Sequence, residues 1–126
     1  MSDPTAIVVF GIDNCDQVRK ARGWLRGRGL PYRFHDFRRD GLDASLLDAW
    51  LTRLPWDALL NRRGLTWRRL SAAERASIVD QASAVEAMLR EPTLVKRPVL
   101  ATGEHVVVGF TESVYARLLD ERDANE

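Results

Sequence analysis

The chain contains one cysteine, Cys15, and this residue stands where a short apolar run gives way to a helical pattern. The first turn of a helix has backbone N–H groups without intrahelical partners, and the aligned peptide dipoles place partial positive charge there. Such a setting stabilises a thiolate, which is the reactive form of cysteine. Arg19 and Lys20 add positive charge one turn further on. Asp13 and Asp16 oppose it. The pattern predicts a nucleophilic thiol, and a buried structural thiol is the alternative.

The residues around the cysteine predict a strand, a helix and a second strand. Residues 6–10 form a β-branched apolar run, which is typical of a buried strand. The following segment places Val18, Ala21 and Leu25 at helical spacing, with basic residues on its other faces. Aromatic residues alternate over 32–37, which predicts the second strand. A strand, a helix and a strand within about 30 residues indicate a parallel βαβ unit.

A helical block follows, from about residue 43 to residue 90. Asp43 is suited to cap its first helix, and residues 71–74 have the pattern of a capping box. A short helical piece is expected at 56–60. The block ends with one long helix, kinked near Asp80, whose apolar face is formed by Ile78, Ala82, Val85 and Leu89.

The last part of the chain predicts a hairpin and a final helix. Residues 99–101 and 106–109 are short apolar runs separated by a turn, which is typical of two antiparallel strands. Thr111 is suited to cap the helix that follows, and residues 120–126 are expected to form a frayed polar tail. The order is β-α-β, helical insertion, β-β-α. This order predicts a single α/β domain over residues 1–126 with a mixed sheet.

Composition narrows the classes of function. The formal net charge is +1, so bulk electrostatics do not favour nucleic acid or a membrane as a partner. One cysteine cannot form an internal disulfide, which fits a reducing cytoplasm. No apolar run approaches the roughly 20 residues that cross a bilayer. Met1 to Pro4 lacks the regions of a signal peptide. We therefore expect a cytoplasmic protein.

Two further groups of residues could bind ligands. A stretch without acids holds four arginines and a tryptophan: Arg62, Arg63, Trp67, Arg68 and Arg69. It could bind nucleic acid, although the low net charge favours a solvated loop, and part of it could instead face Cys15. His35 and His105 have no neighbours at metal-ligand spacing, so both are interpreted as structural or surface residues and no metal site is predicted.

Three motifs together resemble the arsenate reductase (ArsC)-like family, which includes Spx and MgsR regulators, and the chain looks most like its YffB-type branch. The motifs are residues 11–15 with 19–21, residues 59–64, and residues 96–100. The resemblance covers about residues 6–119 and implies a thioredoxin-like fold. It also implies that Pro98 follows a cis peptide bond and lies beside the cysteine.

The same resemblance assigns roles to single residues. Cys15 matches the nucleophile, and Arg97 matches the arginine before the proline. The reductases carry another arginine directly after Leu-Leu, where this chain has Asn61. They carry a third near Gly109, and none is present there. Since an oxyanion needs several convergent donors, this pattern argues against arsenate reduction. Val18 stands where Spx regulators have the second cysteine of their redox switch.

We therefore expect a thiol-dependent oxidoreductase with glutathione, or another small thiol, as co-substrate and no bound cofactor. The catalytic residues would be Cys15 and Arg97. Glutathione would be bound by Asn14, Arg19, Arg63, Arg97 and Pro98. Glutaredoxin is a further expected partner. Two alternatives stay open: a non-enzymatic Spx-like regulator that binds RNA polymerase, and an arsenate reductase. Neither a membrane nor direct nucleic-acid binding is expected.

Overall fold

A computed structural model of the protein describes residues 6–103 and 105–124, and for residues 121–124 it describes the backbone alone. Its centre is a sheet of four strands in the order β2-β1-β3-β4. The strands are β1 (Ile7–Gly11), β2 (Arg33–Asp36), β3 (Val99–Thr102) and β4 (His105–Val108).

Helices occupy most of the remaining chain. They are α1 (Asp16–Gly27), α2 (Phe37–Asp40), α3 (Ala44–Leu51), α4 (Trp56–Leu59), α5 (Leu65–Arg69), α6 (Ala72–Ala76), α7 (Gln81–Arg90) and α8 (Glu112–Ala124), with a 3₁₀ turn at Pro92–Leu94. The order of elements is the predicted β-α-β, helical insertion, β-β-α.

The sheet is mixed, as predicted. Strand β1 pairs in parallel with β2, where Val9 is the partner of Phe34. On its other side β1 pairs antiparallel with β3, where Val9 is the partner of Leu100. Strand β4 continues the antiparallel part, with Val107 opposite Leu100. The first strand of the chain is therefore an inner strand of the sheet.

The alternation of side chains along β1 divides the core into two clusters. Val8 and Phe10 pack with the cluster that contains Trp50 of α3 and Met88 of α7. Ile7 and Val9 belong to the other cluster, whose further members are Ala21, Leu25, Leu100, Tyr115 and Leu119. The helical block thus covers one face of the sheet, and α1 and α8 cover the other.

The prediction of one long helix kinked near Asp80 is wrong, because two separate helices occupy that stretch. Helix α6 ends at Ala76, and α7 begins after Asp80. The Asp80 side chain accepts a hydrogen bond from Ser83 N at 2.9 Å, and Ser83 Oγ accepts one from Asp80 N at 3.1 Å. These reciprocal bonds satisfy the free N–H groups of a new helix start. Ala82 is exposed, and α7 buries Ala84, Ala87 and Met88 instead.

Three smaller predictions also need correction. Strand β1 lies one residue later than predicted and ends at Gly11. Strand β2 ends at Asp36, because the Asp36 side chain accepts a hydrogen bond from Arg38 N at 2.8 Å and thereby caps α2. Helix α8 continues to Ala124, so the frayed tail expected from residue 120 is helical that far. Residues 125 and 126 lie outside the described part.

Candidate active site

Cys15 occupies the N-cap position of α1, directly after the turn that ends β1. Its backbone is extended, with φ −91° and ψ 127°. Its N–H donates to Ile12 O at 3.1 Å, and its carbonyl accepts from Arg19 N at 3.0 Å. The side chain is half-buried and makes no capping hydrogen bond. The backbone of Cys15 is thus fixed by both neighbouring elements, while its side chain takes no part in capping the helix.

The approach of α1 to β1 depends on a glycine. A Cβ added to Gly11 would lie 2.6 Å from Cγ2 of Val18, a distance that side chains do not tolerate. Val18 is fully buried in the first turns of α1. The absence of a side chain at Gly11 therefore lets the start of α1, and with it Cys15, lie close against the end of the strand.

The Arg97–Pro98 peptide bond is cis. Phe10 of β1 pairs with Val99, so Pro98 stands just before this pair, at the end of the sheet where the cysteine turn begins. Pro98 is buried, and its carbonyl accepts a hydrogen bond from Gly109 N at 2.8 Å. Sheet pairing thus brings Pro98 and the turn that carries Cys15 to the same end of the sheet.

The side chain of Arg97 is tied to the backbone that precedes it. Its Nη1 donates to Thr93 O at 3.0 Å and to Val95 O at 3.4 Å. Its Nε is buried and has no hydrogen-bond partner among the described residues. The guanidinium is therefore held in place through Nη1, and its Nε is enclosed without a partner among the described residues.

A backbone bridge joins the loop after α4 to the segment before Arg97. Leu60 pairs with Val95, and Asn61 N donates to Leu94 O at 2.7 Å. Within the loop, Asn61 Oδ1 accepts from Arg63 N at 3.1 Å. Asn61 thus shapes the loop itself. Arg63 is exposed, and no hydrogen bond among the described residues connects its side chain with Arg97.

Arg62, predicted only as one member of the basic stretch, has a defined setting. Its guanidinium carbon lies 5.6 Å from the ring centroid of Trp56 and 5.9 Å from that of Trp67. Stacking of this kind restricts an exposed arginine. Arg68 and Arg69 are exposed residues of a short helix, so that part of the stretch is helical and not a loop.

Asn14 and Arg19 flank the cysteine and are exposed. The two carboxylates expected to oppose a thiolate are both paired: Asp16 with Lys20 at 3.4 Å, and Asp13 with Arg22 at 3.1 Å. Arg22 was not singled out either. Its contact with Asp13 joins α1 to the cysteine turn.

The described residues contain no cluster of three or more His, Cys, Asp or Glu side chains suited to a metal ion. His35 Nε2 is bonded to Gly41 O at 2.7 Å, and its ring lies 5.0 Å from that of Phe10. His105 is exposed on β4. No helix within the described ranges is long and apolar enough to cross a membrane.

Comparison with known proteins identifies the family. The model of the ArsC family matches residues 10–118. The chain belongs to the ArsC family. An uncharacterized protein of Haemophilus influenzae is 39% identical over 109 residues, covering 86% of this chain and 95% of its own. The solved structure of a YFFB protein is 41% identical with a TM-score of 0.84, covering 89% of this chain and 97% of that one.

Two more distant relatives have names that describe different roles. The global transcriptional regulator Spx of Listeria innocua is 24% identical over 118 residues, covering 92% of this chain and 88% of its own. An arsenate reductase from Vibrio cholerae shares the fold at 14% identity, with a TM-score of 0.73 and coverage of 94% and 98%. The chain thus has the thioredoxin-like α/β fold that the resemblance implied.

The positions at which this ArsC-family chain lacks arginines have defined conformations. Asn61 makes the hydrogen bond that shapes its loop. Gly109 has φ +79°, which favours glycine over any residue with a side chain. An arginine at position 61 would therefore remove the hydrogen bond that shapes the loop. An arginine at position 109 would require a different backbone conformation.

Proposed function

We propose that this ArsC-family chain is a cytoplasmic, glutathione-dependent thiol oxidoreductase with Cys15 as its nucleophile. The proposal is carried by the placement of Cys15, which caps α1 through its backbone while its half-buried thiol makes no capping hydrogen bond. The cis Arg97–Pro98 peptide lies at the same end of the sheet. A thiol at the positive end of a helix is the arrangement that favours thiolate attack.

The reaction proceeds by two thiol–disulfide exchanges. The Cys15 thiolate attacks the glutathione sulfur of a mixed disulfide substrate, so that a Cys15–glutathione disulfide forms and the substrate sulfur leaves with the electron pair and takes a proton. A second glutathione thiolate then attacks the glutathione sulfur on Cys15. This step releases oxidised glutathione and restores the thiolate. The second thiol must be external, because the chain has one cysteine.

Arginine is suited to bind the two carboxylates of glutathione, since its guanidinium offers a rigid set of donors. The position of Arg97, directly before the cis-proline at the end of the sheet where the cysteine turn begins, supports a role as one such donor. Arg63 and Arg19 are exposed on the neighbouring loop and on α1, and Asn14 lies in the cysteine turn. The proposed site combines these side chains with the backbone beside Pro98. Glutaredoxin is the proposed protein partner, since its thiolate can replace the second glutathione in the attack on the Cys15 adduct.

The test is to incubate the protein with oxidised glutathione and to measure its intact mass. One glutathione should add to the wild type, and none should add to Cys15→Ser. Reduced glutathione, titrated and followed by NMR, should shift signals around Pro98. Its affinity should fall about tenfold in Arg97→Ala and in Arg63→Ala, because a charge-assisted hydrogen bond contributes roughly 1.5–3 kcal/mol. No adduct and no shifts would reject the glutathione role, whereas unchanged binding in both variants would reject only the carboxylate assignment.

A second candidate is a regulator that binds RNA polymerase, and it is favoured by the Spx relative that spans most of the chain. Val18 excludes the two-cysteine switch but leaves polymerase binding open. Purified RNA polymerase should be titrated with the wild type and with Cys15→Ser. Equal, stable binding of both would favour the regulator over the enzyme.

A further inference from the structure

Arg22 of α1 connects the cysteine turn with strand β2. Its Nη1 donates to Asp13 Oδ1 at 3.1 Å, and its Nε donates to the hydroxyl of Tyr32 at 3.0 Å. Its guanidinium carbon also lies 4.0 Å from the ring centroid of Phe34. The contacts with Tyr32 and Phe34 hold one edge and one face of the guanidinium, and neither contact involves Asp13.

The two members of the ion pair differ in exposure. The side chain of Arg22 is 24% exposed, whereas that of Asp13 is 76% exposed. Arg22 is therefore the fixed partner, and Asp13 is the side chain that would move if the pair were broken. Asp13 stands two residues before Cys15, close to the start of α1. A released carboxylate would be attracted to the free N–H groups and the positive dipole of that helix start.

We propose that Arg22 is a positioning residue for Cys15, because it holds the carboxylate of Asp13 away from the N-terminus of α1. The positive end of the helix is then left to the thiolate. The inference rests on the proposed function in taking Cys15 as the reacting group. The inference does not depend on glutathione being the co-substrate.

Other charges on the elements that meet at the cysteine turn need to be separated from this effect. The charged residues of the turn, of the first two turns of α1 and of the segment entering β3 are Asp13, Asp16, Arg19, Lys20, Arg22, Lys96 and Arg97. Asp16 is paired with Lys20 on its own helix. Asp13 differs, since the arginine that holds it is itself held by Tyr32 and by Phe34 of β2. A simple loss of charge at Arg22 would act on Cys15 independently of Asp13, whereas a positioning role would make the two residues interdependent.

A double-mutant cycle measures this dependence. The pH profile of Cys15 alkylation by iodoacetamide is recorded for the wild type, Asp13→Asn, Arg22→Gln and the double variant. We expect Arg22→Gln to raise the midpoint and to slow alkylation at pH 7 by about threefold, within the range of exposed ion pairs. Asp13→Asn should restore alkylation in the Arg22→Gln background by a larger factor than it changes the wild type.

The matched control is Arg28→Gln. Arg28 also belongs to an ion pair, with Asp120 at 3.5 Å, and lies 4.6 Å from the ring centroid of Trp24, but at the far end of α1. Its loss should leave the alkylation profile unchanged.

Tyr32→Phe is a milder second variant, since it removes only the hydroxyl that holds Nε. In the Tyr32→Phe background, Asp13→Asn should again change the rate of Cys15 alkylation by a larger factor than it does in the wild type. Equal effects of Asp13→Asn in all backgrounds would overturn the proposal, as would an Arg22→Gln profile that matches the wild type in a folded protein. Since alkylation by iodoacetamide needs no glutathione, this experiment can be interpreted even if the protein does not use glutathione.

Discussion

The Nη1 atom of Arg97 donates to the carbonyl oxygen of Thr93 at 3.0 Å. Arg97 thereby stabilises the segment that leads into the cis peptide bond, and Thr93 is in turn hydrogen-bonded through its hydroxyl to Thr66 of α5. The proposed anion-binding arginine is therefore also part of the structure that carries Pro98.

We predict that Arg97→Ala lowers both stability and glutathione binding. Its loss leaves the carbonyls of Thr93 and Val95 without this donor, which costs about 1–3 kcal/mol when such groups are buried. Urea unfolding measures the change in the free energy of unfolding. The control is Arg63→Ala, which removes an exposed side chain and should weaken glutathione binding without changing the urea midpoint. A wild-type midpoint for Arg97→Ala would contradict the structural role.

Gly11→Ala should destabilise the protein because the new Cβ would meet Val18. Overpacking of this kind costs about 1–3 kcal/mol. The cost should be smaller in a Val18→Ala background, where the contact is relieved, and urea unfolding of the four proteins measures this difference. Gly23→Ala is the control: a Cβ at Gly23 within α1 meets nothing within 4 Å, so this change should stabilise the helix by roughly 0.5–1 kcal/mol. An equal cost of Gly11→Ala in both backgrounds would show that Val18 is not the obstacle.

Arsenate should be a poor substrate. Asn61 is engaged in shaping its loop, and Gly109 has a backbone conformation that disfavours an arginine. The charge that develops on the oxyanion therefore lacks donors at both positions, and the loss of one donor typically lowers a rate by about 10²–10³. An assay with glutathione, glutaredoxin and arsenate measures the turnover, with a dedicated arsenate reductase as the positive control. Comparable turnover would mean that another group, such as Arg62, supplies the missing donor.

The free energy of unfolding should fall in acid, partly because Asp40 becomes protonated. Hydrogen bonds from the Arg39 side chain, and then from Asp36 N, lower the pKa of Asp40 to about 2. Since the pKa is lower in the folded protein, the contribution of Asp40 is present above the unfolded pKa and is lost as the pH falls towards about 2. The difference in urea midpoint between the wild type and Asp40→Asn should be constant above about pH 4 and should shrink below it.

Arg39→Gln removes the main partner and is the control for this acid effect. Its own difference from the wild type should shrink over the same pH range, and the two changes should not be additive. A difference that is independent of pH down to pH 2 would contradict the role of Asp40.

The sequence was sufficient where the signal is local. The apolar run, the helical spacing of Val18, Ala21 and Leu25, and the hairpin pattern each lie within one or two elements, so the strand–helix junction at Cys15 could be predicted. The cis bond before Pro98 could not be read from periodicity. It was implied only by the resemblance to the ArsC-like family.

Prediction failed where contacts between neighbouring or distant residues outweigh periodicity. An apolar spacing continues across residues 78–89, yet the reciprocal bonds of Asp80 and Ser83 begin a new helix and change which side chains are buried. The contacts of Arg22 with Tyr32 and of Arg62 with Trp56 were not predicted, because these partners belong to other parts of the chain. The hydroxyl of Tyr32 and the ring of Trp56 become neighbours only in the folded chain.

Strand β1 lies between β2 and β3, and the helical block separates it from β3 in the sequence. Ribosomal synthesis starts at the N-terminus, so β1 and β2 leave the ribosome long before β3 exists. During that interval the edge of β1 that will pair with β3 is without its partner. An unpaired apolar edge is a template for association with other chains. A nascent chain or a fragment that stops within the helical block should therefore be more prone to aggregation than one that includes residues 99–102.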